Sequence, residues 1–398
     1  MLEDRIIICF ASNWFYDPTS KHHVMRLLSK RNHVVWVNYH ASRRPRISGA
    51  DAGAVAAKLR QFITGPRRVS DSLTVITPLV VPMPGNRAAA AVNRQLLTRQ
   101  IKSVLSDLPD RPVQLWSFAP DVDYMCGRFD EECVVYYCVD EFSRFSGYDA
   151  DATLEAEARL AARADLVVTT SRALYEAKRH LNPNVVMVPH GVDVEHFARA
   201  RLPDLAVPSD IANLERPIMG FWGLLQDWLD VELIANVACR RQHWTIVLIG
   251  EVATDVSPLR NLPNVQLLGR REYRDLPAYA KGFDIGLIPF KVNELTRAVN
   301  PIKLREYLSA GLPVVSTALP EVASYTPLAA ISHNPTEFIQ ACEAALATSD
   351  DCATSVPSPA PKGTAYPAPA ERQAAMQRET WESKIEEICG YLSVSVPH

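Results

Sequence analysis

The stretch AVNPIKLREYLSAGLPVVST, residues 298–317, carries the signals of a helix that is followed by a buried strand. Asn300 is a favourable N-cap residue, Pro301 suits the first helical position, and Gly311 is typical of the residue just after a helix. Lys303 lies in the first helical turn, where the helix dipole disfavours a cation. A bound anion at the helix N-terminus would reverse that preference, so this stretch predicts an anion-binding site.

Glu306 follows Lys303 by about one turn and lies on the same face of the predicted helix. A carboxylate at this distance from a bound diphosphate could accept hydrogen bonds from ribose hydroxyls. The alternative is a surface Lys–Glu pair, which contributes at most about 1 kcal/mol. Spacing alone leaves both interpretations open.

Short apolar runs alternate with helical stretches along both halves of the chain. Most runs are continuously apolar, as expected of parallel strands covered on both faces. The strand candidates are RIIICF, HVVWVNY, LTVITPL, VQLWSF, CVVYYCV, DLVVTTS and VVMVPH, followed by PIMGFWG, WTIVLIG, VQLLGR, DIGLIPF, LPVVST and LAAISH. This alternation predicts an α/β protein with two Rossmann-like, doubly wound domains that face a cleft.

The chain divides into four predicted parts. An N-terminal domain covers residues 1–197, and a C-terminal domain covers residues 198–349 after a polar stretch that contains prolines. Residues 350–370 are rich in Pro, Ala and Ser and are typical of an exposed linker. Residues 371–398 contain a single closing helix, which we expect to cross back to the first domain.

The composition is that of an ordinary globular protein. The 398 residues are 47% hydrophobic and carry a formal net charge of -3, which gives no argument for nucleic-acid binding. The eight cysteines form no CxxC pair and no zinc spacing. The N-terminus does not have the pattern of a signal peptide, and no apolar run reaches membrane-spanning length. We therefore expect a cytoplasmic protein without a structural metal.

Four segments resemble the GT-B glycosyltransferases. NPIKLREYLSAGLPVVST is similar to their donor-site helix and the GxPVV strand that follows it. VPHGVDVEHF (188–197) resembles their interdomain PNGVD…F signature, with His190 in place of Asn. The segments that resemble the opening of their donor domain and its nucleobase-side loop are MGFWGLLQDWLDVELI (219–234) and NVQLLGRREYRDLPAYAKGFDIGLIPF (264–290).

The resemblance implies transfer of a sugar from a nucleotide-diphosphate sugar, with UDP or GDP as the nucleotide, and no cofactor or metal. It implies that Lys303 contacts phosphate and Glu306 contacts ribose, with Asn300, Pro301 and Ile302 beside them. The backbone at Gly223 would approach the diphosphate. The residues that would contact the nucleobase are Arg271 and Tyr273.

The acceptor would bind the N-terminal domain and would be a glycan or a lipid-linked sugar, as in enzymes that build bacterial surface polysaccharides and exopolysaccharides. Many retaining members carry E-x(7)-E, but position 298 is Ala here, so retention and inversion both remain open. Two alternative functions share the architecture: a non-hydrolysing nucleotide-sugar epimerase and a non-catalytic binding or scaffold protein.

Asp140 follows the strand CVVYYCV at its carboxyl end, on the side of the proposed cleft. An inverting transferase needs a general base for the acceptor hydroxyl, and Asp140 is our candidate. The alternative is a helix-capping role before EFSRF.

Residues 87–108 form a predicted basic amphipathic helix. Its apolar face would contain Val92, Leu96, Leu97, Ile101, Val104, Leu105 and Leu108. Together with the nearby runs SRRPR and GPRR, this helix could lie on an anionic membrane, which would place the protein peripherally on the inner membrane. The alternative is an ordinary helix packed on its sheet.

Overall fold

The computed structural model describes residues 2–39, 65–83, 85–347 and 366–395. The chain forms two compact units, Met1–Pro189 with Lys384–His398, and His190–Ser383. The division falls at His190 rather than at residue 198, because Val194 and Phe197 pack in the core of the second unit. The predicted linker lies largely outside the described residues, as does the basic run SRRPR.

The first unit is built on an eight-stranded sheet of order β3-β4-β2-β1-β5-β6-β7-β8. All of its strand pairs are parallel except β3 with β4. The strands are β1 (Ile6–Ala11), β2 (His33–Asn38), β3 (Arg67–Ser70), β4 (Leu73–Ile76), β5 (Val113–Ser117), β6 (Cys133–Cys138), β7 (Leu166–Thr169) and β8 (Val185–Met187).

Helices connect these strands, as βαβ crossovers require. In chain order they are α1 (Ser20–Leu28), α2 (Arg87–Leu105), α3 (Ala150–Arg163) and α4 (Arg172–Lys178). Short 3-10 turns cover Asp123–Met125 and Phe142–Arg144. The prediction for α2 was partly wrong: Leu97, Ile101 and Val104 are buried, but Val92 and Leu96 lie on the exposed side.

The second unit is built on a six-stranded sheet of order β11-β10-β9-β12-β13-β14, with every pair parallel. The strands are β9 (Ile218–Trp222), β10 (Thr245–Ile249), β11 (Val265–Gly269), β12 (Ile285–Ile288), β13 (Val314–Thr317) and β14 (Ala329–Ser332). The strand order reverses between β9 and β12, so this sheet has a topological switch point where ligands bind in open α/β sheets.

The helices of the second unit surround this sheet. They are α5 (Val194–Ala198), α6 (Val231–Arg240), α7 (Ser257–Arg260), α8 (Leu276–Gly282), α9 (Glu294–Arg297), α10 (Ile302–Ser309), α11 (Pro320–Ala323), α12 (Pro335–Ala347) and α13 (Pro369–Met376). Short 3-10 turns cover Arg199–Arg201 and Tyr273–Asp275.

The C-terminal region contains two helices where the sequence predicted one. After α13, the chain breaks and restarts as α14 (Trp381–Ser395). The break exists because Thr380 forms a bridge with Val192 and its hydroxyl accepts a hydrogen bond from Ser383 N at 3.2 Å. Residues from Lys384 group with the first unit, as the sequence predicted, whereas residues 371–383, expected to do the same, group with the second.

Two features are absent from the residues that the structure describes. No helix among them is both long and apolar enough to span a bilayer. Likewise, no group of three or more His, Cys, Asp or Glu side chains there has an arrangement that would hold a metal ion.

Candidate functional site

The helix α10 begins at the switch point of the second sheet, between the ends of β9 and β12. Its first residue is Ile302 and its N-cap is Pro301, so the predicted N-cap Asn300 was wrong by one residue. The Asn300 side chain has another partner, since its Oδ1 accepts a hydrogen bond of 2.7 Å from the buried Arg305 Nη1. The first turn thus leaves backbone N–H groups at the carboxyl edge of the sheet.

The C-terminus of α10 is closed as the sequence predicted. Gly311 has φ of +81° at the position after the C-cap Ala310. Its N–H donates to Leu308 O at 3.0 Å, and Leu312 N donates to Tyr307 O at 2.9 Å. This pair of bonds is the Schellman pattern, which ends α10 at a defined residue.

Lys303 extends across the end of β9. A Cβ atom built on Gly223 would lie 2.3 Å from Lys303 Cε and 2.6 Å from Lys303 Nζ. The ammonium lies 5.6 Å from the centroid of the Phe221 ring, and the residue is half-buried. The cation is therefore held at the switch point, against β9, rather than extended into bulk solvent.

Glu306 is buried on the same helix, and its carboxylate has a defined partner. Its Oε2 accepts a hydrogen bond of 2.7 Å from the indole Nε1 of Trp222. Burial raises the pKa of Glu306, while the positive charge of Lys303 and the Trp222 bond act in the opposite direction. The structure thus brings Lys303, Glu306 and Gly223 together at one sheet edge.

Arg271 and Tyr273, the predicted nucleobase residues, follow β11 in the same unit. The Arg271 guanidinium donates to Asp210 Oδ2 at 2.8 Å and to the Tyr279 hydroxyl at 2.7 Å. Tyr273 stacks on His196, with ring centroids 4.6 Å apart and planes 8° apart. Both side chains therefore make contacts within the unit, and their assignment to the nucleobase stays a prediction.

Asp140 lies just past the end of β6 in the first unit and is half-buried. Lys21, the second residue of α1, interacts with it electrostatically: burial lowers the pKa of Lys21, and the Asp140 charge opposes that shift. The next residue, Glu141, accepts hydrogen bonds from Lys178 Nζ at 3.0 Å and from the Ser143 hydroxyl at 2.7 Å. The segment that carries Asp140 is thus anchored to α4.

Two residues beside the predicted ones, Trp222 and Lys21, were not predicted from the sequence. Trp222 lies inside an apolar strand, where an indole gives no sign that its N–H reaches a helix that starts 80 residues later in the chain. Lys21 had a signal that was available, because it is a lysine in the first turn of a helix after the first strand, as Lys303 is after β12.

Comparison with known proteins bears on both units. Residues 216–348 match the family model described as glycosyl transferases group 1. The structure resembles sucrose-phosphate synthase from Thermosynechococcus elongatus, with a TM-score of 0.67, 14% identity and 98% of each chain covered. It also resembles Anabaena HepE solved with UDP and glucose, with a TM-score of 0.66, 14% identity, and 98% of this chain and 99% of that one covered.

The chain has the GT-B glycosyltransferase fold. This GT-B chain is also 31% identical over 258 residues to TuaH of Bacillus subtilis (strain 168), whose name assigns it, as a glycosyltransferase, to teichuronic acid biosynthesis. The match covers 60% of this chain and 64% of TuaH, so it spans less than two thirds of that relative's length. The segment that matches the family model, residues 216–348, contains Gly223, Arg271, Tyr273, Lys303 and Glu306.

Proposed function

We propose that this chain is a metal-independent glycosyltransferase. It would move a sugar from a UDP- or GDP-linked donor to a glycan or lipid-linked acceptor in bacterial polysaccharide synthesis. The observation that carries the proposal is the placement of Lys303 against Gly223, one turn from the buried Glu306, at the switch point of the second sheet. The family match over 216–348 and the likeness to TuaH support it.

The negative charge that develops on the leaving group explains the need for the Lys303 cation. As the bond between the sugar C1 and the diphosphate oxygen breaks, negative charge grows on the leaving diphosphate. Lys303 and the N–H groups of the first turn of α10 are already in position before the reaction begins, and they would stabilise that charge as it develops. Glu306 would accept hydrogen bonds from the ribose hydroxyls and fix the nucleotide.

The acceptor hydroxyl loses its proton during transfer. Asp140, in the first unit, would accept this proton if the enzyme inverts the anomeric centre. Lys21 on α1, whose charge interacts with that of Asp140, lies in the same unit.

Thermal shift with UDP, GDP and ADP sugars tests the proposal, because a ligand that binds the folded state raises the melting temperature. We expect a shift with one nucleotide class, and loss of most of that shift and of sugar transfer in Lys303→Met. Lys30→Met, which removes an exposed lysine from the first unit, serves as the control. A Lys303→Met protein with wild-type turnover would refute the proposed role.

The two alternative functions are separated by products. An epimerase would interconvert nucleotide sugars without any acceptor, which NMR of the donor would detect. A binding or scaffold protein would bind the nucleotide without consuming the sugar. The transferase predicts that the nucleotide is released in proportion to the acceptor supplied.

We further propose that the first unit binds the cytoplasmic face of an anionic membrane through α2. Val92 and Leu96 are 46% and 38% exposed on this helix. Leu79 and Met83 are exposed on the preceding loop, which Asn93 fastens to α2 through hydrogen bonds to both backbone groups of Val81. Residues 72–106 contain no Asp or Glu but four basic residues, Arg87, Arg94, Arg99 and Lys102.

An exposed apolar surface on a segment whose own charged side chains are all basic suits anionic headgroups. We expect co-sedimentation with vesicles of phosphatidylglycerol and phosphatidylcholine, weakened by salt, and none with phosphatidylcholine alone. The double variant Val92→Ser with Leu96→Ser should lose this binding. Leu154→Ser, which removes an exposed leucine from α3, should retain it. Equal binding by both variants would contradict the proposal.

A further inference from the structure

The buried carboxylate of Glu306 is held by a residue from outside its own helix. We propose that Trp222, the last residue of β9, is a positioning residue for the donor site, because its indole N–H fixes Glu306 Oε2 and orients the other oxygen for ligand hydroxyls. This inference rests on the proposed function and adds the residue that orients Glu306 for ligand binding.

The Trp222 ring is locked before any ligand arrives. It is 3% exposed, and it stacks on Phe197 with planes 4° apart and centroids 5.8 Å apart. Tyr307 meets its edge at 4.3 Å between centroids, and Phe283 packs at 6.0 Å. The backbone N–H of Trp222 also donates to the Tyr307 hydroxyl at 3.2 Å. Because these contacts fix the Trp222 ring, its indole N–H can point only toward Glu306.

The carboxylate retains capacity for further hydrogen bonds. An ionised carboxylate has about four acceptor positions on its two oxygens. Among the residues that the structure describes, Trp222 Nε1 donates to Oε2 of this carboxylate. A diol such as the ribose of a nucleotide presents two adjacent donors, and these would be accepted by the remaining positions.

The same contact keeps Glu306 in the form that accepts. Burial favours the protonated carboxyl, whereas the indole N–H and Lys303 favour the ionised one. A protonated carboxyl would present a donor where the ligand also presents donors. Removing the indole N–H should therefore weaken nucleotide binding most strongly at acidic pH.

The test is a double-mutant cycle on nucleotide binding, with Trp222→Phe, Glu306→Gln and the double variant. Calorimetry with UDP and with GDP from pH 5 to pH 8 gives the affinities. We expect Trp222→Phe to lower nucleotide affinity about tenfold at pH 7, because one hydrogen bond to a charged group is lost. The decrease in affinity should be larger at pH 5. In the Glu306→Gln background, Trp222→Phe should cause little additional loss.

Trp244→Phe is the packing control, because Trp244 is equally buried at 3% and lies just before β10. It should leave nucleotide affinity and its pH dependence unchanged. Equal losses from Trp222→Phe with and without Glu306 would overturn the inference and assign Trp222 to packing alone. A wild-type protein that binds neither nucleotide would instead refute the proposed function.

A spectroscopic test does not depend on the folding of Trp222→Phe. In the wild-type protein labelled with ¹⁵N at its tryptophan indoles, one indole N–H resonance should shift as Glu306 titrates. That resonance should move in Glu306→Gln and lose its pH dependence. Identical indole spectra of the wild-type protein and Glu306→Gln would overturn the inference.

Discussion

For single side chains, the contact between Gly223 and Lys303 sets a sharp limit on substitution. An added Cβ would lie within 2.6 Å of the lysine Nζ, so Gly223→Ala must displace the ammonium from the end of β9. Gly223 also has φ of +136°, which a side chain tolerates poorly. We expect donor affinity to fall about tenfold or more, measured by calorimetry.

Gly127→Ala separates the lost contact from backbone strain. Gly127 has φ of +74°, and its nearest neighbour to an added Cβ is Arg163 Nη2 at an ordinary 3.8 Å. This variant should lose stability and keep donor affinity. If Gly127→Ala weakens binding as much as Gly223→Ala does, strain rather than the lysine contact is responsible.

Glu306 should limit the stability of the unliganded protein at neutral pH. Its pKa is raised in the folded state, so folding favours the protonated form, and that stabilisation is lost as the pH rises through the folded-state pKa. Glu306→Gln mimics the protonated form. It should raise the melting temperature at pH 7 by a few degrees, on the order of 1 kcal/mol.

This gain should vanish below the ordinary pKa of glutamate, near pH 4, where the wild-type carboxyl is protonated in both states. Differential scanning calorimetry from pH 4 to pH 8 measures it. The same variant should bind nucleotide more weakly. A melting temperature that falls at pH 7 would show that the Trp222 and Lys303 contacts outweigh burial.

The sequence placed Lys303 and Glu306 on one helix because that signal is local: both lie within two turns. Their roles came from the resemblance and stay predictions. The sequence could not predict the Trp222 bond, which depends on the packing of β9 against α10. It misplaced the N-cap by one residue because the Asn300 side chain bonds to Arg305, and the orientation of Arg305 depends in turn on the distant Glu379, at 3.4 Å. Side chains with distant partners carry no local signal.

Among the helices and strands of the first unit, a buried ionic group joins α3, α4 and the end of β6. Lys178 Nζ lies 2.7 Å from Glu157 Oε2 and 3.0 Å from Glu141 Oε2. The Tyr136 hydroxyl donates to Glu157 Oε1 at 2.5 Å. Lys178→Met would leave two carboxylates without their cation, so we expect about 3–5 kcal/mol of destabilisation in urea unfolding.

Arg172→Met is the matched control on the same helix. Arg172 pairs with Glu176 at 2.9 Å, but both side chains are well exposed, at 69% and 43%. An exposed pair of this kind contributes about 1 kcal/mol or less. Comparable losses from the two variants would show that burial does not strengthen the Lys178 contacts.

Every strand that the sequence predicted is present, and most of these strands are buried along their length, which explains their apolar composition. β8 and β11 are half-buried but still rich in apolar residues. β3 was missed, since its four residues Arg67–Ser70 are all exposed and it pairs antiparallel at the sheet edge. The break between α13 and α14 was missed because it depends on the bridge from Thr380 to Val192.

For the chain as a whole, the alternation of elements predicted two sheets, and the strand order located the switch point. Where one unit ends and the other begins was harder to predict. The boundary lies at His190 because α5 packs in the second core, and it lies again inside α14, a continuous helix with no composition change at Lys384. Tertiary contacts decide which unit a residue belongs to, and the sequence pattern does not show those contacts.

The final segment should therefore stabilise the first unit selectively. Ile385, Ile388 and Leu392 are buried, at 1%, 0% and 6% exposure. Glu386 and Cys389 line a cavity of about 540 Å³ together with residues at the amino ends of the first sheet, Arg5, Gln114 and Glu132. Burying three such apolar side chains contributes about 5 kcal/mol or more, which is comparable to the stability of a whole domain.

Deleting the chain from Lys384 onward should raise hydrogen exchange in β1, β5 and β6 and leave β9 and β12 protected. Exchange measured by mass spectrometry on peptides from each strand resolves the two responses. Val394→Ser, which changes an 84% exposed position of the same helix, should alter neither sheet. Equal loss of protection in both sheets would mean that the units unfold as one cooperative body, whereas loss confined to the first would show that each sheet carries its own stability.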